Sequence, residues 1–188
     1  MNVDELLKII KDRRNTKSFT NDKVAKSDIE LILESGIWAP NHRNTEPWRF
    51  VVVDKSSPIK QDIAQRMISL QEKSSNSTLS DDQKKNIFLK IKNSPCFIFV
   101  FTTIDESPEI TEENYGAVCC AIQNMQLTAT TLGLGVGWST GKISKIDNLN
   151  KLFEVDQTFK IVGVLSVGYS NSIIEKTRQE FTTITKWI

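Results

Sequence analysis

Pro40 and Pro47 bracket a short polar stretch, Asn41-His42-Arg43-Asn44-Thr45-Glu46, and any fold open to this chain must pass from helix to strand across it. On the near side, Ile29, Ile32, Leu33, Gly36 and Ile37 recur at helical spacing. Pro40 ends that helix because it pushes residue 39 out of the α region. On the far side Trp48 to Val53 is apolar and reads as a buried strand. The polar side chains between them are therefore held on a loop slung between two packed elements. A second polar cluster, Arg13-Arg14-Asn15-Thr16-Lys17-Ser18-Phe19, stands in a comparable place. Asn2 and Glu5 form a capping pair, and Val3, Leu6, Leu7 and Ile10 share one face, so residues 3 to 12 make an amphipathic helix that ends where the cluster starts.

The remaining elements follow from caps and periodicity. Ser27-Asp28-Ile29-Glu30 is a capping box for the second helix, and Ser57-Pro58 places a cap and a first-turn proline ahead of a third helix reaching about residue 72. Ser74 to Thr78 lacks periodicity and predicts a mobile loop, followed by a helix capped at Ser80. Cys96 to Phe101 is the most apolar strand. Thr111 predicts the cap of the longest helix, running to Gly133 with Tyr115, Val118, Ile122, Met125 and Leu132 as its buried stripe. Strands around 135–139 and 159–169 flank a short helix near 145–153. This loose alternation predicts a layered arrangement of helices and strands in one domain, residues 1–188, with connections too irregular for a plain doubly wound sheet. The stretch after Ser170 carries Ile173, Ile174, Phe181, Ile184, Trp187 and Ile188, apolar residues that need cover.

Charge and cysteine content narrow the function. With 24 basic and 23 acidic residues the net charge is +1, so no global field favours nucleic acid or an anionic membrane, and any anion site must be built locally. No run approaches the length of a membrane-spanning helix, and Met1-Asn2-Val3-Asp4-Glu5 does not resemble a secretion signal, which predicts a cytoplasmic protein. The three cysteines, Cys96 and the adjacent Cys119 and Cys120, form no C-x-x-C and read as small buried hydrophobes.

Two familiar motifs fail on context. Gly137-Trp138-Ser139-Thr140-Gly141 matches G-x-S-x-G, but a nucleophile elbow needs a histidine later in the chain, and the sole histidine, His42, precedes it. Gly133, Gly135 and Gly137 follow a helix and open a strand, the reverse of a dinucleotide fingerprint. They fit a helix C-cap with close backbone packing, or a backbone that a ligand approaches. No clustered His and Cys ligands suggest zinc.

Arg13 and Arg14 suit the C-terminal end of a helix dipole, or a ligand. Asn15 adds a donor and an acceptor, and Lys17 adds a mobile point charge, a combination matching the polar edge of a planar anionic ligand. The clusters at 13–17 and 40–50, the glycine-rich 133–141 segment, the late strand 160–168 and Lys176-Thr177-Arg178 together resemble the flavin-binding signatures of the nitroreductase family, over essentially the whole chain. The resemblance implies an α+β, nitroreductase-like fold with a central mixed or antiparallel sheet flanked by helices. It further implies a homodimer in which the C-terminal segment extends onto the partner subunit, and FMN as cofactor with NADH or NADPH as reductant. Carried over residue by residue, it places Arg13, Arg14, Asn15, Lys17, His42, Trp138, Ser139, Thr140, Lys176 and Arg178 around FMN, with the last pair at its phosphate. The pattern departs at Asn15, where serine is usual, and at Trp38 and Glu46. The small-molecule acceptor implied is a nitroaromatic, quinone, enone or aldehyde. Dehalogenation or flavin fragmentation on the same fold, or flavin binding without turnover, are the alternatives.

Overall fold

The computed structural model describes residues 2–172 and 174–188; Ile173 lies outside them. Helix α1 spans Val3–Asp12, with Asn2 and Glu5 in the expected reciprocal capping box. Helix α2, Lys26–Ile37, begins earlier than the Ser27 box predicts: Ala25 is its N-cap, and Ile29 donates its backbone N–H to the Ala25 carbonyl. The helix ends before Pro40. The loop beyond it makes one 3-10 turn, His42–Asn44, and enters strand β1 at Trp48–Val53.

Helix α3, Lys60–Ser75, starts after a turn built on Ser57 and Pro58 and absorbs part of the stretch predicted to be a loop, ending at left-handed Asn76. Helix α4, Asp81–Asn93, begins at Ser80 in a capping box with Gln83. Strand β2 is Cys96–Thr103. Helix α5, Pro108–Thr131, is capped by Ser107 with Pro108 in its first turn, four residues before the expected Thr111. Thr111 instead closes the loop before the helix, exchanging hydrogen bonds with the Asp105 backbone. Strand β3 is Gly135–Ser139, helix α6 only Leu149–Leu152, and strand β4 Phe159–Gly168.

The four strands form an antiparallel sheet in the order β1-β2-β4-β3, joined at its β3 edge by one parallel bridge, Asn15 to Val136. Strand β2 lies inside the sheet, and its unbroken apolar run reflects cover on both faces. Cys96, Ile98 and Val100 point into a cluster with Ile32 of α2 and Val118, Ile122 and Met125 of α5. Phe97, Phe99 and Phe101 point the other way, toward Ile63, Ala64 and Met67 of α3 and Ile91 of α4. A bulge opposite Val100 and Phe101 puts Val162 and Gly163 on the same face, which brings Val162 into the α5-side cluster. Of the expected α5 stripe, Tyr115 is exposed, and Cys120 is exposed too: both fall on the side of α5 turned from the sheet. Among the described residues no helix is long and apolar enough to cross a membrane.

Candidate flavin site

The site lies at the β3–β4 edge of the sheet, on the face opposite α5. Alternation decides its shape. On the α5 face these strands present Val136, Trp138, Leu165 and Val167 to the core. On the opposite face they present Gly135, Gly137 and Ser139 facing Gly168, Ser166 and Val164. Small residues in those registers leave an open floor beside the packed end of α3 and α4. A cavity of about 810 Å³ stands there, within the range of small-molecule sites.

The 15–19 segment forms one wall. Thr16 donates its N–H to the Val136 carbonyl at 2.9 Å, and the Asn15 side-chain oxygen accepts the Trp138 N–H at 2.7 Å, so this segment is stitched to β3 as an added edge. Glycine permits that approach: a Cβ on Gly137 would stand 2.2 Å from the Thr16 carbonyl oxygen. The segment is tied at its far end as well, by Thr20 N–H to the Tyr169 carbonyl and the Ser170 hydroxyl to the Ser18 carbonyl. Lys17 and Phe19 thereby line the cavity, with Trp138 and Ser139 behind them. The opposite wall, Met67 and Gln71 of α3 and Ile87, Lys90 and Asn93 of α4, escaped sequence reasoning. These residues belong to helices of ordinary amphipathic pattern, and only the chain's return across the sheet brings them to the floor.

Electrostatically the cavity is one-sided. Lys17, Lys90 and Lys142 line it and, among the described residues, no carboxylate does; Lys142 donates to the Gln71 side-chain oxygen at 3.1 Å. Just beyond the α1 end stands a second cationic group. Arg13 donates to the side-chain oxygen of Gln126, a buried residue of α5, at 3.2 Å. Burial first, then the neighbouring Arg178 and Arg14 guanidinium groups, push Arg13 below its ordinary pKa. The charge of Arg178, far along the chain, thus reaches Arg13, while its own Nη1 donates to the Thr177 carbonyl at 2.9 Å. Among the described residues none of Arg13, Arg14, Lys17 or Arg178 pairs with a carboxylate. Clustered like charges without a counterion favour an anion. Lys176 lies in an adjoining surface hollow with Arg14, Thr177 and the carboxylate of Glu175.

Two of the sequence-derived candidates stand apart. His42 is away from this cavity: its Nδ1 is 3.0 Å from Glu113 of α5, and its loop is held by the Asn41 side chain on the Glu46 N–H and by Thr45 on Asn114. Thr140 is exposed just past β3 and does not line the cavity. Trp138 contributes its backbone to the β3 edge while its indole packs on the α5 side, over Gly163, where its Nε1 is buried without a hydrogen-bond partner.

Residues 10–169 match the model of the nitroreductase family, and the chain belongs to that family. It is 28% identical over 167 residues to YfhC of Bacillus subtilis (strain 168), named as an NAD(P)H nitroreductase, a match covering 89% of this chain and 85% of that one. The fold is that of a nitroreductase-like family protein from Bacillus cereus, with a TM-score of 0.82 at 24% identity, covering 97% of this chain and 95% of that one. A Desulfovibrio desulfuricans protein described as a nitroreductase in complex with FMN superposes with a TM-score of 0.74 at 23% identity, covering 98% and 96% of the two chains.

Proposed function

We propose that this chain is an FMN-dependent oxidoreductase that takes hydride from NADH or NADPH and hands it to a small organic acceptor, a nitroaromatic, quinone, enone or aldehyde. One observation carries the reading: a cavity with a small-residue floor and, among the described residues, only lysines for charge, near the end of α1 where Arg13 and Arg14 have no carboxylate partner. The residues fit the group. A planar ring suits the flat Gly137–Ser166 floor, and a phosphate ester suits two guanidinium groups, which bind such oxygens bidentately. FMN, when bound, supplies the hydride chemistry, reductant and acceptor taking turns in a ping-pong cycle.

The protein's own work is placement and charge. Lys17 holds a cation at the cavity wall, where negative charge in a reduced ligand is stabilised more than in its oxidised form. Asn15 fixes that wall to β3 through the Trp138 N–H. Ser139 lines the floor, while Trp138 and Thr140 set the strand end beside it. Arg13 and Arg178 take the phosphate, with Lys176 and Arg14 beside them.

A second copy completes the account. The α1 face carrying Val3, Leu6, Leu7 and Ile10 is exposed, as are Phe181, Ile184, Trp187 and Ile188 of the tail and Ile37 and Trp38 at the end of α2. So much unpartnered apolar surface fits a homodimer in which the tail extends onto the partner. His42, remote from its own chain's cavity, would then serve the partner's.

The test is direct: the purified protein should be yellow, release FMN on denaturation, and bleach anaerobically on adding NADH or NADPH. A colourless protein that also fails to bind added FMN would overturn the reading; a yellow one that neither nucleotide bleaches would make it a flavin binder without turnover.

A further inference from the structure

Arg14 spends its guanidinium differently from its neighbour. Its Nε donates to the carbonyl of Ile174 at 2.6 Å, and its Nη1 to the carbonyls of Lys11 and, at 2.9 Å, Arg13. All these acceptors are backbone. They come from two distant parts of the chain, the last turn of α1 and the tail beyond β4. The end of a helix leaves carbonyls without intrahelical partners, and a planar guanidinium can serve acceptors in more than one direction at once.

Among the described residues the tail makes few other hydrogen bonds there. Upstream, the Ser170 hydroxyl bonds the Ser18 carbonyl. Downstream, Glu175 to Glu180 are exposed, and so are Phe181, Ile184 and Trp187. Yet four positions past Ile174 comes Arg178, whose charge bears on Arg13, itself fixed by Gln126. Bringing a second guanidinium to Arg13 costs free energy unless an anion joins them.

We infer that Arg14 is a positioning residue: its guanidinium pins the tail backbone at Ile174 to the end of α1, so that Arg178 is delivered beside Arg13 and the two close on an anionic group. The identity of that group, the FMN phosphate, rests on the function proposed above; the latch itself does not. Docking of the tail and binding of the anion are then coupled, each strengthening the other by the same factor. Lysine cannot replace Arg14, because a single ammonium head cannot span carbonyls on the helix and the tail together.

The experiment measures FMN and riboflavin affinity of the full-length apoprotein by quenching of flavin fluorescence. Riboflavin lacks the phosphate, so the ratio of the two affinities isolates the anion contact. Arg178→Ala should weaken FMN about tenfold and leave riboflavin unchanged, the scale of one charged hydrogen-bonded contact. Arg14→Ala and Arg14→Lys should both reproduce that loss, and Arg14→Ala with Arg178→Ala together should be no worse than Arg178→Ala alone, because Arg14 acts only through Arg178. Wild-type affinity in Arg14→Lys overturns the latch, since charge alone then suffices. So do losses that add in the double variant, which would put Arg14 on the phosphate itself, and an equal loss of both flavins with a lowered melting temperature. If the wild type binds neither flavin, the FMN reading fails and tail proteolysis decides the latch: Arg14→Ala and Arg14→Lys should be cut by trypsin after Lys176 about tenfold faster than wild type. Unchanged cleavage overturns it.

Discussion

The two faces of the β3–β4 pair are made by the same ten or so residues and do opposite things. On the α5 face Val136, Leu165 and Val167 are almost wholly buried, and the core is sealed. On the other face Gly135, Gly137, Ser139, Ser166 and Gly168 leave room, and the 15–19 segment and a cavity occupy it. Nothing in composition separates the strands into a structural and a functional one. The period of two does, assigning bulk to one side and space to the other. A binding floor can therefore be built into a strand without weakening the core behind it.

The two faces differ most in what they need from the chain end. The sealed face needs no help from the tail, whereas the proposed flavin site draws its phosphate contact, Arg178, from it. Truncation after Ser170 should therefore abolish flavin retention and dimerisation together while leaving the helical content intact, as judged by sedimentation, flavin fluorescence and circular dichroism. A stable dimer that keeps FMN would mean that the tail serves neither. Next in size is Gly137→Ala. Its new Cβ would stand 2.2 Å from a backbone oxygen of Thr16, which must move, so we expect a cost of at least ~2 kcal/mol in stability and loss of FMN binding, read by thermal melting and fluorescence titration.

Lys17→Ala tests the charge of the open face. It should lower the reduction potential of bound flavin by about 30–60 mV, the two-electron equivalent of ~1.5–3 kcal/mol of charge-assisted hydrogen bonding lost from the reduced state. An unchanged potential, measured by dye equilibration, would leave Lys17 a surface lysine. The sealed face has its own titration. Burial pushes the Cys96 thiol up from 9.0 to about 12, opposed by nearby Lys60 and reinforced by Asp54. The folded pKa is raised, so the folded state keeps the proton longer than the unfolded chain; the associated stability is present below pH 9 and is lost as pH rises from about 9 toward about 12. Cys96→Ala should flatten the fall in stability across that window, by on the order of 1 kcal/mol per pH unit, in urea titrations at pH 8 and pH 10.

Local signals in the sequence located elements that depend on local physics. The reciprocal Asn2–Glu5 and Ser80–Gln83 caps sit where their side chains predict, and β1 has the expected bounds, Trp48–Val53, but it is an edge strand rather than a buried one, with only Trp48 and Val53 buried. Where two local signals competed, tertiary contact decided. Ser-Pro pairs occur at 57–58, 94–95 and 107–108; the last caps the start of α5 and the middle one follows the end of α4, but the first only makes a turn, and α3 starts at Lys60. Lys60 is itself buried, its ammonium against the Ser94 carbonyl and near the Phe97 ring, a long-range anchor with no local signature. The site divides in the same way. Asn15, Lys17 and the glycines of β3 were legible because chemistry and spacing stand close together in the chain. Gln71, Lys90 and Asn93 were not, because only the sheet order places α3 and α4 against residues 15–19.

If the small-residue face of β3–β4 is the flavin floor, Ser166→Phe should block it. Ser166 lines the cavity opposite Gly137, and its side chain points away from the α5-side core. A phenyl group there fills the floor without entering that core. Titration of FMN into the folded Ser166→Phe apoprotein, followed by flavin fluorescence, should show affinity at least ~100-fold below wild type, because the ring position is occupied. Wild-type FMN affinity in a variant that melts like the parent would place the flavin elsewhere.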